Sequence, residues 1–535
     1  MENVLSDNAS MEQARLPEMP EPPAKDPKAP PGPRLGPPKL KPIDRDQGLL
    51  RTVIVEELVP PDHKVRAIWD LAGRLDLSPY LAQIRSQQGE AGCSAWDPRL
   101  LLSVWVYALS EQVSSAREME RMMAYEPGMM WLAGLGEVNH HTLSDFRADH
   151  PEALRELFAK VLGILSQEGF VKLELVAHDG TKIRTQGGGD QFRRQKTLEE
   201  RIALAKKMVQ ELDQQPEGEG APNARRTAAR ARAARELLQR MEEAAKELEK
   251  IQAAQDSPRE REQARVCLTE PEARVMHQGD HALAPCYNVQ VSTDAGHSII
   301  VGMHLTQCSS DSGSLPQAMK EVETATGRKA QSAVVDGGFT NQDSILAMKE
   351  AEIELYGSLV SAEVRQTAAL QAVGIDPAFG PAAFGMVAGA EGSRGTLQCP
   401  AGKTLPYVRQ SRTGDNHYYQ YQAAASDCGG CEFQKQCCPR AKQGRLVKIR
   451  MAENAEVAAF RKKMATPEAQ AIYKRRGAVA EFPNAYLKEK FGMRKFRLRG
   501  LAKATCEALL AGLTYNILAW RRLSWLPKQA VAVAA

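Results

Sequence analysis

Apolar residues recur at every third and fourth position from Leu49 to about Leu165, which is the spacing of amphipathic helices. The stretches WDPRLLLSVWVYALSEQ and PEALRELFAKVLGILSQEG show this spacing most clearly. Asp97 before Pro98 predicts a helix start, because aspartate caps helix N-termini and proline is favoured at the first helical position. We therefore expect an N-terminal α-helical domain over residues 47–168.

Five short apolar runs, each bounded by turn-forming residues, follow the helical region and predict β-strands. They read LELVAHDGT, CYNVQVSTD, SIIVGMHLTQ, QSAVVDGGF and IELYGSLV, and helical segments precede and follow the fourth run. The order β-β-β-α-β-α-β predicts a mixed α/β sheet whose first three strands form a meander.

Two segments are expected to interrupt this sheet domain. Residues 193–265 are rich in Ala, Glu, Lys, Arg and Gln and are divided by PEGEGAPN, which predicts an antiparallel helical hairpin. Residues 361–458 are Gly-rich at first and then carry hairpin-like runs and clustered cysteines, which predicts a β-rich insertion. A helical block is predicted from about Pro467 to Leu523. The sheet domain is then left with residues 169–192, 266–360 and 459–525.

Composition limits the class of protein more than its function. A chain of 535 residues exceeds one hydrophobic core, and 43% apolar with 25% charged residues is typical of soluble proteins. The 70 Lys and Arg nearly balance the 66 Asp and Glu, so the net charge of +4 does not by itself predict a nucleic-acid partner. Residues 1–46 are Pro-rich with few large apolar side chains, which predicts a disordered tail.

The cellular compartment is predicted from membrane signals and cysteine use. No apolar run approaches the roughly 20 residues that span a membrane, and the N-terminus lacks the apolar core of a signal peptide. The ten cysteines form no regular disulfide framework. We therefore expect a protein of the reducing cytoplasm.

Two carboxylates end predicted strands, and each precedes a glycine: Asp179 in VAHDGT and Asp336 in VVDGGF. Ligands bind at that edge of an α/β sheet, although a single Asp-Gly pair is more often only a turn. A third carboxylate, Glu481, lies in the C-terminal helical block. Three converging carboxylates can hold two divalent ions roughly 4 Å apart, and oxygen ligands suit Mg²⁺ or Mn²⁺.

The order of elements and the places of the three acids resemble the DDE transposases. In that family the catalytic domain has a ribonuclease H-like fold, with acids on the first strand, the fourth strand and the last helix. Asp179, Asp336 and Glu481 occupy these three places. The resemblance therefore implies an RNase H-like mixed sheet, β-β-β-α-β-α-β-α, behind an N-terminal helical DNA-binding domain.

Local motifs strengthen the resemblance. The spacing Tyr473-x2-Arg476-x4-Glu481-x6-Lys488 is similar to the Y-R-E-K signature of the IS4-like superfamily, with one extra residue between Arg and Glu. The motifs VNHHTLSDFR, SSAREMERM, PEARVMHQG, CYNVQV and RKFRLRG resemble the IS1182 group of insertion-sequence transposases. The similarity covers about residues 50–520.

The resemblance implies a bacterial transposase that binds the ends of its element and catalyses Mg²⁺-dependent DNA cleavage and strand transfer. The three acids would hold two Mg²⁺ or Mn²⁺ ions. The partners would be double-stranded DNA of the element ends and the target, bound by a homodimer at the nucleoid. The alternatives are an RNase H-like nuclease that cuts without joining and an inactive DNA-binding relative. The intact acids argue against the inactive relative, and the helical domain and the Cys-containing insertion argue against the nuclease.

The signature residues can be placed on a helix. Lys488 is seven residues after Glu481, so at about 100° per residue the two share a face. Tyr473 lies about 80° from that face, and Arg476 about 140° away unless the helix begins after it. Pro483 predicts a helix start or kink beside Glu481. The other expected phosphate-binding residues are Lys182, Arg184, Arg494, Lys495, Arg497 and Arg499.

A cysteine cluster predicts a second metal site. Cys428 and Cys431 form a CxxC pair, and similar cysteines occur in the insertion domain of the family that the chain resembles. With Cys399 and Cys437 they predict a structural Zn²⁺ site of four thiolates, in which Cys438 can replace Cys437. Unliganded thiols and a disulfide are the alternatives.

Other polar residues near these motifs are given structural roles. His178, beside Asp179, is expected to be structural, because a two-metal site needs no histidine base. His140 and His141 are expected to cap or position a helix. Asp311 is expected to cap the helix SLPQAMKEV rather than to bind metal or DNA.

Overall fold

The computed structural model describes residues 52–84, 94–148, 151–214, 221–255, 257–278, 282–359, 370–387, 394–413, 416–439, 443–450 and 454–529. The chain divides into two units at Val53, and only Thr52 of the first unit is described. The tail predicted over residues 1–46 therefore lies outside the described residues.

The first part of the second unit is helical, as the apolar spacing predicts. After a 3₁₀ turn at Val55–Glu57, its helices are Lys64–Ala72, Ser78–Leu81, Pro98–Ser110, Ala116–Met122, Pro127–Ala133, His140–Ala148 and Pro151–Gln167. The side chain of Asp97 accepts a 2.8 Å hydrogen bond from the Arg99 backbone N–H, and Pro98 is the first helical residue. The predicted helix cap is confirmed.

A mixed sheet follows the helices. The strands up to residue 356 are β1 (Val176–Arg184), β2 (Phe192–Arg193), β3 (Val266–Cys267), β4 (Arg274–His277), β5 (Leu283–Asp294), β6 (Ile299–Thr306), β7 (Ser332–Val334) and β8 (Glu354–Tyr356). Six of them form one sheet in which β5 pairs antiparallel with β1, β4 and β6. On the other side of β1, β7 and β8 continue the sheet in parallel.

The predicted sequence of elements is present. The five predicted strands correspond to β1, β5, β6, β7 and β8, and the two predicted helices to Leu315–Thr326 and Gln342–Glu350. The mixed α/β class is therefore confirmed.

Helices pack on both faces of β6, and two glycines allow their close approach. A Cβ on Gly302 would lie 3.0 Å from Cγ2 of Val322 in the helix before β7. The next residue, Met303, points to the opposite face, since side chains alternate along a strand. There, a Cβ on Gly512 of the long C-terminal helix, Leu501–Trp520, would lie 3.1 Å from the Met303 methyl carbon. Both helices therefore contribute to one core with the sheet and the N-terminal helices.

Each of the two insertions has a small core of its own. The helices Gln195–Asp213 and Ala221–Ala253 form a hairpin, followed by the helix Pro258–Gln263, and β2 pairs with β3. The second insertion carries 3₁₀ turns at Pro377–Phe379 and Pro381–Ala383 and short helices at Ala425–Gly429 and Gln434–Cys437. Its antiparallel sheet, in the order β13-β12-β11-β10-β9, consists of β9 (Gly385–Val387), β10 (Thr396–Gln398), β11 (Thr404–Thr413), β12 (Asn416–Gln422) and β13 (Leu446–Arg450).

The C-terminal helical block is interrupted, which corrects the prediction of a block from Pro467 to Leu523. Its elements are the helices Ala455–Met464, Pro467–Lys474 and Phe482–Glu489, the helix Leu501–Trp520, and π-helical turns at Gly477–Glu481 and Arg521–Trp525. Residues 490–500 leave the helix, and this backbone includes Gly492 and Gly500 with φ of 64° and 88°, a conformation that favours glycine. Within the described residues, no helix is long and apolar enough to cross a membrane.

Candidate functional site

Asp179 lies in the middle of β1, so the prediction that it ends its strand is wrong. The strand continues to Arg184 because β5 pairs with it along its whole length. On the other side, β7 pairs with β1 only at Val176 and Ala177, so the parallel pairing stops just before Asp179. The carboxylate is therefore placed where two neighbouring strands separate.

Asp336 comes two residues after β7, as the sequence predicts. Its Oδ1 accepts hydrogen bonds from the backbone N–H groups of Gly338 (2.7 Å) and Phe339 (3.3 Å). The turn that carries Asp336 is thus fixed by its own side chain. Its negative charge acts on Asp179, because the two lie at the same gap between β1 and β7.

The pKa of Asp179 is raised from 3.8 to about 6, chiefly because the carboxyl group is buried. The backbone N–H of Gly180 opposes this shift by donating a 2.9 Å hydrogen bond to Oδ1, whereas the charge of Asp336 reinforces it. Arg476 and Asn484 lower the pKa by smaller amounts. A buried carboxylate beside a second one lacks positive charge, and a divalent cation would supply it.

Glu481 ends the π-helical turn Gly477–Glu481, and the next helix begins at Phe482 with Pro483 as its second residue. The predicted helix start beside Glu481 is confirmed. The Glu481 Oε1 lies 3.3 Å from Nη2 of Arg476, five residues earlier. In a π-helix residues five apart are stacked, so the turn absorbs the extra residue between Arg476 and Glu481. The separation of about 140° expected for a continuous α-helix therefore does not apply, because the helical geometry changes at Gly477, directly after Arg476.

The three acids are neighbours but are not gathered around one point. The Glu481 side chain is 65% exposed and is held by Arg476, whose charge also acts on Asp179. Among the described residues, no three His, Cys, Asp or Glu side chains are spaced to share a metal ion. Arg476 thus links the carboxylate of Glu481 to the pair formed by Asp179 and Asp336.

Asn484, which the sequence reasoning missed, contacts Asp179 directly. Its Nδ2 donates a 3.1 Å hydrogen bond to Asp179 Oδ2, and the residue is only 7% exposed. Its Oδ1 is buried and has no hydrogen-bond partner in the described part of the chain. Asn484 is three residues after Glu481, so helical spacing is the signal that could have found it. The side chains of Asp179, Asp336, Glu481 and Asn484 can offer oxygen atoms as metal ligands, which fits Mg²⁺ or Mn²⁺.

Lys488 and Tyr473 also lie at this site. Burial and the charge of Arg494 lower the pKa of Lys488, while the carboxylate of Asp179 opposes that shift. Tyr473 packs against the small apolar cluster of Ala177, Val334, Val479 and Ala480, at the gap where β1 and β7 separate. The sequence predicts that Lys488 shares a helix face with Glu481 and that Tyr473 lies about 80° from that face.

The segment that carries RKFRLRG extends the sheet beside the end of β1. The backbone N–H of Phe496 donates a 2.9 Å hydrogen bond to the Arg184 carbonyl, and Lys495 forms an isolated parallel bridge with Arg184. Arg497 Nε donates a 2.5 Å bond to Ser114 Oγ, and Arg494 pairs with Glu489. The pairing brings together two groups of predicted phosphate-binding residues, Lys182 and Arg184 on β1 and Arg494, Lys495, Arg497 and Arg499 on the segment.

His178 has the structural role that was predicted for it. It is fully buried, with Nδ1 2.8 Å from Ser292 Oγ and Nε2 2.8 Å from Gln290 Oε1. Burial lowers its pKa to about 3, so the ring is neutral at pH 7. His140 is the first residue of its helix and lies 2.7 Å from Glu120. The backbone N–H of His141 donates a hydrogen bond to the side-chain oxygen of Asn139.

The expectation that Asp311 caps a helix is wrong. Its Oδ1 accepts hydrogen bonds from Asn288 Nδ2 (2.7 Å) and Gln290 Nε2 (3.1 Å). Ser314 is the N-cap residue of the following helix and makes no side-chain cap bond. Asp311 therefore anchors the loop after β6 to β5.

The clustered cysteines surround one small cavity of about 30 Å³ in the second insertion. Those that line it are Cys399, Cys428, Cys431, Cys437 and Cys438. The backbone N–H of Lys403 donates to Cys399 Sγ (3.3 Å), and that of Arg445 to Cys428 Sγ (3.4 Å). Burial raises the pKa of Cys438 to about 11, and none of the described cysteines is in a disulfide.

Comparison with protein families gives two matches. Residues 398–519 match the transposase DDE domain family, and residues 53–149 match the transposase domain family DUF772. Two parts of the chain are similar to transposases. Glu481 and the clustered cysteines lie in the first match, whereas Asp179 and Asp336 lie outside both. The curated proteins and the solved structures contain no match.

Both matched families are transposase families, and one of them is named for the DDE domain of these enzymes. The matched residues lie in the helical N-terminal part and in the C-terminal part of the chain, and both parts contribute to one shared core. DNA is the partner that such a family implies.

Proposed function

We propose that the protein is the IS1182-type transposase of a bacterial insertion sequence, which binds the element ends and catalyses metal-dependent DNA cleavage and strand transfer. The observation that carries the proposal is the meeting of Asp179 and Asp336 at the gap between β1 and β7, beside the turn that ends at Glu481. The two family matches support the same reaction class.

The sheet supports an RNase H-like catalytic domain. Its strands lie in the order β4-β5-β1-β7-β8, and β6 also pairs with β5. The pairings of β5 with β1, β4 and β6 are antiparallel, whereas β7 and β8 continue the sheet in parallel. Among the strands β1, β5, β6, β7 and β8, taken in chain order, Asp179 is on the first and Asp336 follows the fourth. Glu481 ends the π-helical turn that packs on β1 and β5. This arrangement supports the assignment of the catalytic acids that the resemblance implies.

Asp179, Asp336 and Glu481 would hold two Mg²⁺ or Mn²⁺ ions. Such ions, when bound, activate a water or a 3′-hydroxyl and stabilise the leaving oxygen of a phosphodiester. Asp179 and Asp336 are held by backbone N–H groups, so they form the fixed part of the site. Glu481 is exposed, and Arg476 is its only side-chain partner within the described part of the chain, so its carboxylate can turn toward the pair when Arg476 releases it.

The charged residues around the acids would bind DNA. Lys488 and Tyr473 lie beside the acids, and Arg476 becomes available to a phosphate once Glu481 binds metal. The strip formed by β1 and RKFRLRG offers further cations to the phosphate backbone. Since two element ends must be held together, we propose that a homodimer forms on DNA.

The proposed reaction is tested by a cleavage and strand-transfer assay on DNA that carries the element ends, with Mg²⁺. Asp179→Ala, Asp336→Ala and Glu481→Ala should each lower cutting more than about 100-fold, since even outer partners of metal ligands typically cost 10–100-fold. Glu489 is an exposed carboxylate at the end of the helix that follows Glu481, so Glu489→Gln is the matched control and should cut normally. Cutting that survives all three alanine substitutions would refute the metal site. DNA cleavage without strand transfer would favour the alternative of an RNase H-like nuclease that cuts without joining.

We also propose a structural Zn²⁺ held by Cys399, Cys428, Cys431 and either Cys437 or Cys438. The two backbone N–H groups that point at sulfur support it, because such bonds stabilise thiolates. Metal analysis should give about one zinc per chain, falling to zero in the double variant Cys428→Ser plus Cys431→Ser. Cys308→Ser, at an exposed cysteine outside the cavity, is the control. Unchanged zinc in the double variant would refute the site.

A further inference from the structure

Asn484 is built into the acidic site more firmly than a surface asparagine would be. It is the third residue of the helix Phe482–Glu489 and is 7% exposed. Its Nδ2 bonds to Asp179 Oδ2, while Asp179 Oδ1 is bonded by the Gly180 N–H. Each oxygen of Asp179 therefore has one donor, and Asn484 provides the only one that comes from a side chain among the described hydrogen bonds.

The carbonyl oxygen of the Asn484 side chain, unlike its nitrogen, is not accounted for by a contact with Asp179. Oδ1 is buried and has no hydrogen-bond partner within the described residues. Asn516, a fully buried asparagine in the C-terminal helix, shows the usual structural arrangement: its Oδ1 accepts from the Ile300 N–H and its Nδ2 donates to the Ile300 carbonyl. Buried carbonyl oxygens are nearly always satisfied, so an open one beside a carboxylate points to a ligand.

We propose that Asn484 is a fourth group of the metal site: it holds Asp179 in place in the metal-free protein and offers Oδ1 as a neutral oxygen ligand to the bound ion. This inference rests on the proposed function. A half-turn about the Cβ–Cγ bond exchanges Nδ2 and Oδ1, so the same side chain can serve a carboxylate or a cation. Amide oxygens are common ligands of hard divalent cations.

A neutral ligand suits the charges already present. Asp179 and Asp336 repel one another, and Glu481 is held a short distance away by Arg476. A further acid at position 484 would add repulsion in the metal-free protein, whereas an amide adds an oxygen without charge. Asn484 lies between Glu481 and Lys488 in sequence at spacings of three and four, so all three share one helix face.

The experiment is Mn²⁺ binding to the full-length protein without DNA, followed by electron paramagnetic resonance and by the rise in melting temperature with Mn²⁺. Asn484→Ala should weaken Mn²⁺ binding by about 10–100-fold and reduce the rise in melting temperature to match. Asn484→Asp should keep most of the affinity, since it retains an oxygen at the same place. Asn454→Ala, at an asparagine that caps a different helix, should bind Mn²⁺ normally.

Two further variants separate the outcomes. Asn484→Leu removes the oxygen while keeping the volume, so it should weaken Mn²⁺ binding even if the alanine variant folds poorly. Normal Mn²⁺ binding by Asn484→Leu, or an equal loss in Asn484→Asp, would overturn the role of Asn484. Asp179→Asn is the reference for the whole site. If it also bound Mn²⁺ normally, the proposed metal site itself would fail.

Discussion

The two faces of β1 differ sharply, although adjacent residues form them. His178 points to a closed face, where Ser292 and Gln290 bond both ring nitrogens and the pKa falls to about 3. Asp179 points to a face where strands separate, and its pKa rises to about 6. Burial favours the neutral form of both groups. The difference is that the hydrogen-bond partners of His178 suit its neutral ring. The negative charge of an ionised Asp179 is not balanced in the same way, and a bound cation would balance it.

The Asp-Gly pair serves both faces at once. Gly180 faces the same side as His178, and a Cβ on it would lie 2.5 Å from Asp311 Oδ1 and 2.7 Å from Gln290 Nε2. The glycine is therefore required by the close approach of the closed face, not by a turn. The contacts on the closed face fix the register of β1 against β5. That register determines where Asp179 lies on the open face.

The largest expected effect is on the closed face. His178→Ala would leave Ser292 and Gln290 without their partner and open a cavity, which should lower the free energy of unfolding by about 3 kcal/mol. Urea unfolding measures this change. His141→Ala, at an exposed histidine, should stay within about 0.5 kcal/mol of the wild type. A loss at position 178 no larger than this would show that the closed face is not a structural element.

Gly180→Ala should destabilise the protein by about 2 kcal/mol, because the added methyl group must displace Asp311 or Gln290. The double variant Gly180→Ala plus Asp311→Ala should recover part of that loss, since it removes the nearest clashing group. Thermal unfolding of both variants measures the recovery. If the second substitution only added to the damage, the close contact would not be the reason for the glycine.

Asp179→Asn should stabilise the metal-free protein at pH 7 by about 2 kcal/mol, at the expense of cutting. The folded pKa of about 6 exceeds the ordinary 3.8, so the native state binds the proton more tightly. The contribution of the Asp179 carboxyl group to the stability of the wild type therefore falls as pH rises from about 4 to 6. The difference between variant and wild type should grow across this window. A constant difference would contradict the raised pKa.

His178 should act in the opposite direction over the same range. Its folded pKa of about 3 lies below the ordinary 6.5, so its contribution is present above pH 6.5 and is lost as pH falls. His178→Gln should remove this acid sensitivity, whatever it does to stability at pH 7. Unfolding measured at several pH values separates the two faces by the sign of their slopes.

The smallest expected effect on stability is at the exposed acid. Glu481→Gln breaks only its bond to Arg476, and exposed ion pairs contribute less than about 1 kcal/mol. Chemical denaturation should therefore barely distinguish this variant from the wild type, although the proposed metal site predicts that the variant should lose cutting. A large loss of stability would mean that Glu481 has a structural role.

Much of the fold could be predicted from the sequence because apolar runs and turn residues are local signals. They located the strands β1, β5, β6, β7 and β8 and the helices between them. The interruption at residues 490–500 was missed, because its backbone is held by the end of β1, a contact far away in sequence.

The site was predictable only in part for the same reason. The positions of Asp336 and the helix start at Phe482 follow from local patterns. The role of Asp311 depends on which residues of β5 lie opposite Gly180, a register that the sequence does not reveal. The π-helical turn was also missed, because helical spacing assumes that one geometry continues through Arg476 and Glu481.

The central claim is that Asp179, Asp336 and Glu481 bind the metal ions together once Glu481 turns away from Arg476. Fe²⁺ can replace Mg²⁺, and with ascorbate and peroxide it generates radicals that cut the polypeptide close to the bound ion. The account predicts cuts beside Asp179, Asp336 and Glu481 that excess Mg²⁺ suppresses and that Asp179→Asn abolishes. Cuts at other places in the chain, or cuts at these places that persist in Asp179→Asn, would contradict it.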